Sequence, residues 1–116
     1  MKRQALFIIG SDPRLSARPA EAIRIAAGIG TWKKVAVRIY LEGAAVLALS
    51  EFPDDLVDDD NYTRYFPIVG EWGHAVLVQQ GAPLLGEIGE SALRHEEVSP
   101  ETLARLAAES DFVLRF

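Results

Sequence analysis

Ala5-Leu6-Phe7-Ile8-Ile9, a run of apolar residues that ends at Gly10, is the clearest structural signal in the sequence. An apolar run without alternation is typical of a strand buried on both faces, as in a parallel sheet. Turn-forming residues follow in Gly10–Arg14. A helix is then predicted from about Arg18 to Ile29, with Gly28 and Gly30 marking its end.

The rest of the chain continues this alternation of strand and helix patterns. Further strands are predicted at Lys34–Leu41, Ala75–Val78, Leu93–Val98 and Asp111–Phe116. Helices are predicted at Ala44–Leu49, around Tyr62–Val69, in a short segment after Pro83, and from Pro100 with Ser99 as N-cap. The alternation favours a three-layer α/β/α fold with a mainly parallel sheet of about five strands. No linker or repeat interrupts residues 1–116, which are therefore expected to form one domain.

Composition sets the class of protein. The chain has 116 residues, 49% of them apolar, which is enough for a compact core without a disulfide or metal. A net charge of −5 argues against nucleic-acid binding, and no apolar run is long enough for a membrane span. We therefore expect a cytoplasmic protein with no membrane or nucleic-acid partner. The absence of cysteine excludes disulfides, thiolate metal sites and a cysteine nucleophile.

The segment Glu51–Asp60 contains six of the seventeen acidic residues and is predicted to be a solvated loop, with a weak cation site or an acidic patch facing a partner as the alternative. Asp60 is predicted to cap the helix that follows, and Pro67 to kink or delay that helix. Neither this loop nor His74 and His95 has the residue spacing of a metal site. No metal or cofactor is expected.

The loops that follow the first and third predicted strands are the best candidates for a functional site. In open parallel sheets, ligands bind beyond the carboxyl ends of the strands. The polar residues there are Ser11, Asp12, Arg14, Gln79 and Gln80. They could hydrogen-bond a small ligand, with Arg14 binding an anion. Alternatively, Ser11 and Asp12 only cap a turn and the glutamines are spacers.

The order of elements resembles the DsrE/DsrF family of small sulfur-metabolism proteins, which includes YchN-like and TusBCD-type sulfur-relay subunits. The segments that carry the resemblance are Gly10–Pro13 after the first strand, the Ala-rich helix Ala20–Gly28, strand Val35–Leu41 running into Gly43–Val46, strand Val76–Val78, and Asp111–Val113. The resemblance covers nearly the whole chain. It implies a five-stranded parallel α/β/α domain that assembles as a homotrimer or homohexamer.

Active members of this family carry a persulfide on a cysteine at the end of the third strand. That position falls here at about Gln79, with Ala82 three residues on, and neither is cysteine. An amide cannot replace the nucleophilic sulfur, so sulfur-carrier chemistry does not transfer to this chain.

A cluster of aromatic residues beside the acidic loop predicts a subunit contact. Its members are Tyr62, Tyr65, Phe66 and Trp72. Aromatic groups rimmed by charge are typical of interfaces, although core packing is an equal alternative for each.

Two functional hypotheses follow. The first is a non-catalytic, homo-oligomeric DsrE/DsrF-like protein, a small-ligand-binding or scaffold subunit linked to a sulfur relay or sulfur metabolism. The alternative is a small hydrolase or transferase that uses Asp12 with Ser11 or His74, which requires those groups to be adjacent.

Overall fold

The computed structural model describes residues 2–116 and contains one sheet of five parallel strands. The strands are β1 (Arg3–Ile9), β2 (Val35–Leu41), β3 (Val76–Gln79), β4 (His95–Val98) and β5 (Phe112–Arg115). Their order across the sheet is β4-β3-β2-β1-β5. The predicted fold class, including the five-stranded parallel sheet, is confirmed.

Helices cover both faces of the sheet unequally. The helices are α1 (Arg18–Thr31), α2 (Asp59–Gly70) and α3 (Pro100–Glu109), and short 3-10 helices occupy Gly43–Leu49, Pro53–Asp55 and Pro83–Glu87. α1 and α2 share the large core with one face of the strands, whereas α3 packs alone against a small cluster on the other face. No helix within residues 2–116 is long and apolar enough to cross a membrane.

β1 is an interior strand between β2 and β5, and it is buried on both faces, as its apolar run predicts. Phe7 and Ile9 belong to the large core, while Leu6 and Ile8 belong to the cluster beneath α3. Since a strand's side chains alternate between faces, one uninterrupted apolar run supplies both cores.

α1 extends two residues beyond the predicted end at Ile29. Gly28 and Gly30 do not stop the helix but lie inside it. The ring of Trp72 packs directly on Gly30, and a Cβ there would overlap the ring. Gly30 therefore serves close packing between α1 and the end of α2, a role that local sequence does not distinguish from a helix stop.

The predicted cap of α2 is wrong. The helix begins at Asp59, so Asp60 lies in its first turn, where its charge complements the helix dipole, instead of at the cap. Pro67, itself exposed, lies among the last four residues of α2, and the helix continues past it to Gly70, so Pro67 neither delays nor ends the helix. At α3 the predicted cap is confirmed, because the Thr102 backbone N–H donates to Ser99 Oγ at 3.2 Å.

Candidate functional site

The five candidate residues lie at the carboxyl edge of the sheet. Ser11 and Asp12 follow β1, while Gln79 is the last residue of β3 and Gln80 follows it. β2 lies between β1 and β3, so two strand spacings separate the two groups of residues. That distance is about 10 Å. The topology therefore places them on one edge without bringing them into contact.

Asp12 and Arg14 form a local ion pair. Arg14 Nη2 donates to Asp12 Oδ2 at 2.8 Å, and the Arg14 backbone N–H donates to Oδ1 at 2.9 Å. Hydrogen bonding from Arg14 lowers the pKa of Asp12 and outweighs the opposing effect of desolvation. The guanidinium thus folds back onto its own loop, and Asp12 stays ionised and weakly basic.

Gln79 is bonded to the loop that follows β2. The Gly43 backbone N–H donates to Gln79 Oε1 at 2.8 Å. Gly43 has φ +56°, a backbone conformation that favours glycine and that opens the 3-10 helix Gly43–Leu49. Gln79 is the position that the family resemblance aligns with a persulfide cysteine. Its side-chain amide instead links the end of β3 to the loop that follows β2.

Glu42 is a residue of this edge that sequence reasoning missed. A Cβ on Gly10 would lie 3.0 Å from Glu42 Oε1, so the carboxylate extends across the end of β1. Because Asp12 and Arg14 neutralise each other, Glu42 leaves this edge with a net negative charge, which disfavours the anion expected at Arg14. The sequence signal was ambiguous, since Glu42-Gly43 has the composition of an ordinary turn.

Three cavities lie elsewhere, and none of the three is lined by the five candidates. Two of them, of about 260 and 400 Å³, share His74; the third, of about 340 Å³, lies along α2 and the 3-10 helix Gly43–Leu49. β3 pairs with β2 only at Tyr40 and Leu41, which leaves the first half of β2 without a neighbour on that side. The 400 Å³ cavity lies at this gap, because Val35, Ala36 and Val37 line it together with His74.

His74 is half-buried in a cationic environment. Burial lowers its pKa, and the charges of Arg38 and Arg94 lower it further. Its Nδ1 atom is buried and has no hydrogen-bond partner within residues 2–116. These effects favour the neutral imidazole.

The catalytic hypothesis that pairs His74 with Ser11 is wrong. Ile8, Tyr40 and Leu77 lie side by side in the sheet register. His74 precedes that row and Ser11 follows it, each by three residues along parallel strands. The two side chains are therefore at opposite edges, roughly 20 Å apart along the strand direction, far beyond the reach of proton transfer.

The predicted interface residues divide into two groups. Tyr62 and Phe66 are only 1% and 7% exposed, with ring centroids 5.5 Å apart inside the monomer core. Burial raises the pKa of the Tyr62 phenol well above its ordinary value. The expectation that these two rings reach a partner is corrected, because both are buried in the large core of the monomer. Tyr65 and Trp72 are half-buried and retain surface for a contact.

Comparison with known proteins places the fold. No protein-family model matches the sequence, and no curated protein matches it. The structure is similar to the crystal structure of the ychN protein from E. coli, with a TM-score of 0.79, 18% sequence identity and full coverage of both chains. This likeness confirms the DsrE-like fold that the family resemblance implies.

Proposed function

We propose that residues 1–116 form a single DsrE/DsrF-like domain that does not transfer sulfur and that serves as a homo-oligomeric scaffold subunit linked to sulfur metabolism. The fold supports the family assignment. The bonded amide at Gln79 and the absence of cysteine support the non-catalytic role. The cytoplasm is the compartment we propose for it.

Gln79 is the observation that carries this proposal. A persulfide carrier needs a thiolate that attacks the donor and then holds the transferred sulfur. The Gln79 amide is not a nucleophile, and its oxygen is engaged with Gly43. The strand end thus keeps the scaffold of a sulfur carrier without its reactive group.

Incubation with a cysteine desulfurase and cysteine tests the proposal. The unmodified protein should show no covalent gain of a sulfur atom by intact mass spectrometry. Gln79→Cys restores a thiol at the strand end and should gain sulfur, whereas Ala108→Cys, exposed on α3, is the matched control. Sulfur on the unmodified chain would overturn the non-catalytic role. No preference for position 79 over position 108 would overturn the link to sulfur transfer.

The homo-oligomer is the second part of the proposal. Tyr65 and Trp72 are aromatic side chains that keep exposed surface, and exposed aromatic groups suit a subunit contact. Light scattering should give a trimer or hexamer, and Tyr65→Ser should lower the assembly state while Arg105→Ser, on α3, should not. A 12.7 kDa monomer at micromolar concentration would contradict this part.

The third part of the proposal is that a small ligand binds at the carboxyl edge of the sheet. Asp12 and Arg14 neutralise each other, and Glu42 lies beside them, so a neutral polar ligand suits this edge better than an anion. Ser11 and Gln80 would contact it. Titration with formamide and small polyols should shift the backbone amide resonances of Ser11 and Gln80, and shifts confined to other parts of the sheet would contradict this site.

A further inference from the structure

β5 is the edge strand on one side of the sheet, and it exposes apolar side chains. It pairs with β1 on one side and is the last strand on the other. Phe112 and Val113 are 49% and 42% exposed. Half of the backbone N–H and C=O groups of an edge strand face outward, and such an edge is a template for another strand unless something blocks it.

The opposite edge, β4, is blocked by charge. Its sequence is His95-Glu96-Glu97-Val98, and both glutamates are exposed. Antiparallel pairing of two copies of β4 about their centres would set glutamate against or next to glutamate, which is destabilising. β4 thus carries a device against self-pairing that β5 lacks.

The sequence Asp111-Phe112-Val113-Leu114-Arg115 is complementary to itself when reversed. If two copies lie antiparallel about Val113, Asp111 of each faces Arg115 of the other. Phe112 then faces Leu114, and Val113 faces its own copy. Opposite-charge pairs and large apolar pairs are the cross-strand combinations that stabilise antiparallel strands.

The charged groups are placed for this pairing. Val113 pairs in register with Leu6, which belongs to the cluster beneath α3. By strand alternation, Asp111 and Arg115 share that face with Val113. Asp111 Oδ2 accepts a hydrogen bond from the Gln4 backbone N–H at 2.7 Å, and Asp111 Oδ1 lies 3.8 Å from Arg3 Nη1 of the same chain. The contact with Arg3 is long and the Asp111 side chain is 41% exposed, so the carboxylate is accessible to Arg115 of a second copy. The Arg115 side chain is exposed.

From this complementarity we infer that β5 is a docking surface for a second copy of the chain, joined edge to edge about a two-fold axis into a ten-stranded sheet. Isologous contacts of this kind are self-complementary by symmetry. One short strand per subunit is a small contact, so the association is of micromolar strength or weaker unless other surfaces add to it. The inference depends on β5 alone and not on the proposed role in sulfur metabolism.

Single cysteines test the arrangement directly, because the chain contains no other thiol. In Val113→Cys the two facing Cα atoms would lie roughly 4.5–5.5 Å apart, within the span of a disulfide. In mild oxidant at tens of micromolar protein, Val113→Cys should form covalent dimers at least about tenfold faster than Glu96→Cys, the matched variant on the β4 edge. Equal rates would overturn the inference.

Exchange of the charges tests the register. Arg115→Asp and Asp111→Arg should each raise the dissociation constant of the contact about tenfold or more, since like charges then face each other. A mixture of the two variants should form a heterodimer, because opposite charges meet again. Weakening by each variant without recovery in the mixture would overturn the proposed register. A trimer insensitive to every β5 variant would overturn the inference and leave the proposed homo-oligomer intact.

Discussion

Gln79 Oε1 and the Gly43 backbone N–H, 2.8 Å apart, tie the end of β3 to the loop that follows β2. β2 and β3 pair at only two positions, Tyr40–Leu77 and Leu41–Val78. The side-chain bond therefore extends a short ladder by one more link at the edge where ligands bind in this class of sheet. It also gives Gln79 a structural role at a position where the family resemblance expects chemistry.

Gln79→Ala should lower the free energy of unfolding by about 0.5–1 kcal/mol, because it removes one hydrogen bond at a partly solvated site. Gln80→Ala is the matched control and should stay within about 0.5 kcal/mol of the unmodified protein, since its side chain is exposed. Urea denaturation of the three proteins measures both values. Equal effects of the two substitutions would show that the bond to Gly43 contributes nothing to stability.

Two glycines in α1 should respond in opposite directions to the same substitution. Gly28 has open space where a Cβ would lie, so Gly28→Ala should stabilise the protein by about 0.5–1 kcal/mol through helix propensity. Gly30→Ala forces the Trp72 ring to move and should cost about 1–3 kcal/mol. Thermal unfolding and Trp fluorescence report the two effects. A stabilising Gly30→Ala would mean that Trp72 does not pack on the helix.

Tyr62→Phe should leave stability unchanged or raise it by up to about 1 kcal/mol. The Tyr62 hydroxyl is buried and has no hydrogen-bond partner within residues 2–116, so its removal relieves an uncompensated desolvation. Tyr62→Ala removes the ring as well and should cost roughly 3–5 kcal/mol by opening a cavity. Chemical denaturation distinguishes them. A large loss of stability in Tyr62→Phe would show that the hydroxyl has a hydrogen-bond partner.

Local patterns predicted the parts of the fold that depend on local physics. The apolar run of β1 is typical of a strand buried on both faces, and Ser99 followed by Pro100 is typical of a helix start. Gly30 was misjudged because its role depends on Trp72, some forty residues away in sequence. The strand order, with β1 between β2 and β5, likewise depends on packing that no local pattern encodes.

The candidate site was predictable in place but not in detail. Parallel strands put Ser11 and Gln79 on the same edge by topology alone. The partners of Asp12 and Gln79 depend on loop conformations, and Glu42 extends across Gly10 through a contact between neighbouring strands. Burial of Tyr62 and Phe66 depends on how α2 is rotated about its axis, which aromatic content does not reveal.

His74 should make stability depend on pH near neutrality. Its folded-state pKa is lowered from the ordinary 6.5 by burial and by Arg38 and Arg94, so the unfolded chain takes up the proton first. The stability that depends on a neutral His74 is complete above the pKa of the unfolded state and is lost as the pH falls below that value. Denaturation between about pH 8 and pH 5 should show a decline that is smaller in His74→Gln. An unchanged slope in that variant, or an imidazole titration above 6.5 by NMR, would contradict the neutral, half-buried histidine.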